Sequence, residues 1–226
     1  MFNVLAAIFS KEYVKTRTSM LILFALGISL AAVIYFDLNR LFMLDHPEIV
    51  WYHTLDLKQI PYGIFKYLPM LSATVFCFCQ FLPEMRDERL RISLHLPCPL
   101  GLLLLAHIVY GLIFLMALMI AESGAILIIL GRKYPLAYLP EAFWTMLPWC
   151  LAGIYAYLCC AWVLLEPKKK TKVLGLILGV CICTPLFQHY TPGAFSTAYL
   201  PFILGIPLLT VSLFLPALHF RTREVE

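Results

Sequence analysis

Six apolar stretches set what this chain can become: residues 19–36, 62–82, 99–121, 143–165, 173–187 and 198–219. Each approaches or exceeds the roughly 20 helical residues that cross a hydrocarbon core about 30 Å thick. None alternates every second residue as a barrel strand does, and all outrun the ~10 residues such a strand uses, so the spans are helices. Of the 226 residues, 62% are hydrophobic and 13% charged, and the 11 glycines bring the apolar share to about two-thirds. A soluble domain reaches only ~45–50% on that count. Mean hydropathy is +0.87. Too little polar surface remains to cover a water-soluble globule, which excludes a soluble enzyme, a disordered tail and a secreted disulfide scaffold. The expected fold is all-α: one polytopic membrane domain, residues 1–226, with six transmembrane helices.

Two spans have unusual lengths. The run from Pro99 to Gly131 would be near 50 Å long as one helix at ~1.5 Å per residue, so it either projects beyond the membrane or breaks near Ser123-Gly124. The fifth span is short, which calls for tilt or for a non-helical or re-entrant segment at Thr184-Pro185. Prolines within spans (Pro69, Pro148, Pro207) are tolerable where neighbouring helices meet the freed carbonyls. Twelve of the 17 basic residues fall on one side if both termini are cytoplasmic; the other five are Arg40, Lys58, Lys66, Arg132 and Lys133. Short loops obey the positive-inside rule, so six spans with both ends inside are expected. Residues 1–17 lack a small-residue cleavage pattern and read as an interfacial amphipathic helix feeding the first span. The basic residues do not gather on one folded surface, so no nucleic-acid partner is expected.

The stretch from Pro83 to Pro97, PEMRDERLRISLHLP, is the most informative. It mixes both charge signs in a short cytoplasmic loop between spans two and three, more than topology requires, and proline bounds each end. An ordinary solvated loop with positive-inside arginines remains the alternative to a docking surface. Glu84, then Glu88-Arg89-Leu90-Arg91, then Leu94 and Pro97 resemble the stretch after the second span of ABC-2 type transporter permeases. The opening resembles that family as well, with Lys11-Glu12 and Lys15-Thr16-Arg17 leading directly into the first span. The resemblance covers the whole chain as architecture and about 30 residues as motif.

That resemblance implies a permease working as a dimer, with a second copy or a homologous permease. Each copy would pair with a cytoplasmic ATP-binding cassette ATPase in the bacterial inner membrane. It implies that residues 84–97 are the coupling helix, with Glu84, Arg86, Asp87, Glu88, Arg89, Arg91 and Pro97 facing the ATPase. It also implies a re-entrant segment between spans five and six, here 184–199. The substrate class it suggests is an amphipathic, lipid-like or peptide molecule moving outward. The chain carries no Gly-x-x-x-x-Gly-Lys-Ser/Thr loop, so hydrolysis would come from the partner. Lys168, Lys169, Lys170 and Lys172 fix topology and can touch the ATPase or anionic lipid heads.

Seven of the eight cysteines lie in expected spans and Cys98 at the cytoplasmic edge, so they read as small packing residues rather than disulfides. Cys77 and Cys79, like Cys181 and Cys183, point ~200° apart on a helix and chelate poorly; a metal- or haem-related transporter is the alternative. His46 and His53 share the outer loop 37–61 with Asp45, Glu48 and Asp56, at a spacing that matches no known site. His107 and Glu122 are candidates for a substrate route, Glu122 alternatively marking the outer interface. No metal site and no cofactor is expected. No Ser/His/acid set or His-Glu-x-x-His helix appears, so the chain has no catalytic site of its own. A gradient-driven secondary transporter would want an acidic residue deep within a span, and none is expected there. A scaffold or assembly component would have no need of the charged 84–97 loop.

Overall fold

The structure, a computed structural model, describes residues 2–86, 100–188, 192–193 and 199–216. It is all-α, and among the described residues six helices are long and apolar enough to cross a membrane: Ala6–Leu44, Gly63–Met85, Gly101–Gly131, Tyr138–Leu165, Lys169–Phe187 and Tyr199–Pro216. In chain order the elements are α1 (Phe2–Leu44), a short α2 (Pro47–Trp51) with a π-helical turn Tyr52–Asp56, and a 3-10 turn Gly63–Tyr67. There follow α3 (Leu68–Arg86), α4 (Leu100–Gly131), α5 (Tyr138–Leu165), α6 (Lys169–Phe187) and α7 (Tyr199–Ser212).

Three expectations meet the structure differently. Residues 1–17 and the first span are parts of one helix of 43 residues, about 64 Å long at ~1.5 Å per residue. The sequence from 2 to 44 contains no proline and a single glycine, Gly27, so nothing interrupts the hydrogen-bond ladder until Pro47. The supposed outer loop 37–61 is therefore largely helical: its first third closes α1, and α2 and the π-helical turn follow. The long third span does not break at Ser123-Gly124. The Ser123 hydroxyl bonds to the Met119 carbonyl at 2.6 Å, and α4 continues to Gly131, so the break is excluded.

The fifth span stays helical through Thr184 and Pro185. Pro185 removes one amide donor from the last turn. The Thr184 hydroxyl donates to the Val180 carbonyl at 2.7 Å, and the Lys66 ammonium donates to the Phe187 carbonyl at 2.7 Å. A cation at the carbonyl end of a helix satisfies an orphan acceptor and favours the dipole. Of the remaining 184–199 segment, residues 192–193 form a turn; 189–191 and 194–198 lie outside the described residues.

Helix α5 is the hub, packed against α3, α4, α6 and α7, while α1 lies along α4 and α3. Gly153 allows the closest approach: a Cβ there would sit 2.8 Å from the Pro69 carbonyl oxygen on α3. The core divides by depth. One half centres on Phe76, Phe81, Leu104, Ile108, Tyr157 and Leu165. The other gathers Ile34, Leu38, Tyr62, Phe65, Ile126, Tyr138 and Trp149, beneath the segments that join α1 to α3 and α4 to α5. Trp51 ties those two segments together through its indole N–H and the Lys133 carbonyl, 3.0 Å. Tyr134, whose hydroxyl meets Thr54 at 3.2 Å, is buried enough that its phenol is pushed above its ordinary pKa.

Candidate functional site

The first core half ends in a buried cluster of charges at the N-terminal end of α1. On α1, Lys11, Glu12, Lys15 and Thr16 follow each other at helical spacing, which aims Glu12 and Thr16 inward. Both are fully buried. From α3, Gln80 and Glu84 stand one turn apart on the inner face, again buried. Lys15 Nζ bridges the two carboxylates, 2.6 Å from Glu12 Oε1 and 3.1 Å from Glu84 Oε1. Lys11 Nζ straddles Glu84, 3.0 Å from Oε1 and 3.2 Å from Oε2. Two ammonium groups face two carboxylates, so the cluster is electroneutral, the condition under which buried charge is tolerable.

Helix α4 closes the cluster with His107, which is 2% exposed. Its Nδ1 lies 2.8 Å from the Leu103 carbonyl and its Nε2 3.4 Å from Glu12 Oε1. Nδ1 can reach that carbonyl only as a donor, which leaves Nε2 free to take a proton on the side of Glu12. Gln80 spans two helices: its amide N–H donates to the His107 carbonyl at 2.8 Å, and its oxygen accepts from the Tyr157 hydroxyl of α5 at 2.8 Å. Thr16 donates to the Glu12 carbonyl at 2.8 Å, which leaves Tyr110 of α4 to donate to Thr16 at 2.8 Å. One hydrogen-bonded network thus joins α1, α3, α4 and α5. It is a joint between the ends of α1 and α3 and the helices α4 and α5.

Among the sequence candidates, Glu84 and His107 come together in this cluster. The Glu84 carboxylate is turned into the bundle and held by two lysines, so it is engaged within the chain. Arg86 closes α3, and Asp87, Glu88, Arg89, Arg91 and Pro97 lie outside the described residues. Glu122 is elsewhere, between α1 and α4, 5% exposed, with neither carboxyl oxygen hydrogen-bonded. It corrects the expectation that no acidic residue lies within a span, because α4 continues for nine residues beyond it. His46 and His53 do not converge with the nearby acids: among the described residues no group of three His, Cys, Asp or Glu side chains can hold a metal ion. His53 and Asp45 instead border a cavity of about 270 Å³ with Thr54, Gln59 and Tyr134.

Sequence reasoning missed Gln80, Tyr110 and Tyr157, and it took Glu12 for a surface residue. The available signal was Gln80 and Glu84 at i and i+4 on an apolar helix, which places two polar groups on one face. A second feature was also missed. Two adjoining cavities of about 450 Å³ and 340 Å³ form a groove between α3, α5 and α6, sharing Met70, Val180 and Cys183. One end carries Lys66, Thr184 and Gln188; the other is apolar, with Phe78, Val163 and Leu176. No family model, no curated protein and no solved structure matches this chain.

Proposed function

We propose that this chain is the membrane-embedded permease subunit of an ABC-2 type exporter, driven by a separate cytoplasmic ATPase. The observation that carries the reading is the Glu84 cluster. Glu84 lies in the last turn of α3, where the charged segment to Pro97 begins, and Lys11 and Lys15 fasten it to α1. A force applied to residues 87–97 by a docking ATPase would pass through that joint into α1, and through Gln80, His107 and Tyr157 into α4 and α5. In this reading Glu88, Arg89 and Arg91 contact the ATPase, whereas Glu84 transmits. The groove with a polar end at Lys66 and an apolar remainder favours an amphipathic, lipid-like substrate. The dimer, the inner membrane of a bacterium and cytoplasmic termini belong to the same proposal, supported by the distribution of lysines and arginines.

Co-expression with a candidate ATP-binding subunit, purification in nanodiscs and an ATPase assay test this. Glu88→Ala with Arg89→Ala should lose the co-purifying ATPase, because both charges are spent on docking. Glu84→Gln should keep the ATPase bound but lose the stimulation of hydrolysis by substrate. Absence of any co-purifying ATPase with the wild-type chain would overturn the reading.

A further inference from the structure

Glu122 is the buried ionisable group that the proposed joint does not use. It sits on α4 against α1, 5% exposed, with both carboxyl oxygens lacking a hydrogen-bond partner. The surroundings explain why nothing answers it. On α1, residues 18–34 contain no ionisable side chain; on α4, residues 111–131 contain Glu122 alone; on α3, residues 68–76 contain none. On α5 the thiol of Cys150 faces it. An unpaired carboxylate in such surroundings costs far more than a neutral acid. A polar residue at this place is therefore a functional position rather than a packing choice.

The space around it decides what it binds. At Gly27, the sole glycine of α1, the position a Cβ would take lies 2.5 Å from Glu122 Oε1 and 2.8 Å from Cγ. The carboxyl is pressed into the notch this glycine leaves in α1. A gap that excludes one methyl group excludes a hydrated cation and the ammonium of a substrate. A proton needs no space.

We propose that Glu122 is a proton-binding site at the crossing of α1 and α4, with the neutral acid locking α1 against α4 and the carboxylate releasing it. The proton comes from bulk water and returns there, with no other bond made or broken. Ionised Glu122 must find water or a cation, and the notch offers neither, so α1 has to move away from α4 for the charge to be solvated. The same residue could not hold the crossing closed in both states. The site stands apart from the Lys15 cluster and does not depend on an ATPase, so either proposal can fail alone.

The test uses the full chain in lipid nanodiscs, with infrared difference spectra of wild type against Glu122→Gln. The protonated-carboxyl C=O band should be present in acidic buffer, bleach as the pH is raised, be missing in the variant and be unmoved by sodium ions. The hydrogen-exchange protection of residues 20–34, with the intrinsic base catalysis of amide exchange divided out, should fall at least tenfold above the bleaching pH in wild type and stay unchanged in Glu122→Gln. Gly27→Ala keeps the carboxyl but displaces it from the notch, so its band should bleach at lower pH. A band absent at every pH, bleaching by sodium at fixed pH, or protection independent of pH in wild type would each overturn the proposal.

Discussion

Lys11 and Lys15 reach the same carboxylate, yet their removal should have different consequences. Lys11 is 44% exposed along its side chain, Lys15 only 14%. Lys11→Met leaves Glu84 paired with Lys15 and removes an ammonium that water already half solvates. A pair screened by water at its lysine contributes about 1 kcal/mol or less, so that is the expected loss. Among the described residues, Lys15→Met removes the only ammonium within reach of Glu12 and one of two on Glu84. Glu12 is then a fully buried carboxylate with His107 Nε2 at 3.4 Å as its nearest remaining charge partner. Removing one member of a buried pair costs about 3–5 kcal/mol.

The assay is equilibrium unfolding in mixed micelles by titration with dodecyl sulfate, followed by the fluorescence of the four tryptophans. The double variant Lys15→Met with Glu12→Gln removes both charges together and should recover about half or more of the single loss, since the desolvated anion is gone. Equal losses for Lys11→Met and Lys15→Met, or strict additivity in the double variant, would refute the idea that burial of Glu12 governs the cluster.

Three further outcomes follow from single positions. Tyr157→Phe leaves the buried Gln80 oxygen without its donor and should cost about 1–3 kcal/mol in the same titration. Gly153→Ala drives a methyl to 2.8 Å from the Pro69 carbonyl and 2.5 Å from Met119 Cε, an overpacking worth about 1–3 kcal/mol. Gly124→Ala, where a Cβ meets nothing within 4 Å, should instead stabilise by up to ~1 kcal/mol through helix propensity.

The six helices were legible in the sequence because the bilayer itself imposes their length and composition, whatever they pack against. Where helices end was less legible. Asp37 and Arg40 read as the start of an outer loop, yet charged side chains at the end of a long helix do not stop it; only Pro47 does. The unbroken α4 makes the same point, since Ser123 and Gly124 weaken a helix without terminating it when apolar residues continue on both sides.

The site was legible only in part, for a different reason. Glu84 and His107 stand out as polar residues among apolar neighbours, whereas the lysines that hold Glu84 lie 69 and 73 positions away along the chain. A single sequence carries no record of which faces meet. Glu12 shows the consequence: beside Lys11 and Lys15 it looks like the polar side of a surface helix, and only the approach of α3 and α4 turns it into a buried charge.

The buried carboxyl groups also differ in how they are neutralised, and that difference sorts their roles. Glu12 and Glu84 are held by lysines at a helix end, and Glu166 accepts the Lys168 amide at 3.2 Å at the start of the α5–α6 connection. In each case a donor fixed by the same fold answers the carboxylate, and the pairing serves to hold helices in register. Glu122 faces an apolar helix and a glycine notch, so its charge state cannot be fixed by the fold and must be set by what binds it. Proline-free α1 connects the two kinds of group, carrying the Glu12 joint at one depth and Gly27 about 22 Å further along at ~1.5 Å per residue. A rigid helix fastened at one point and latched at another can pivot about the first only when the second lets go. On that geometry the proton at Glu122 would decide whether a displacement delivered to the Glu84 joint reaches the far half of the bundle.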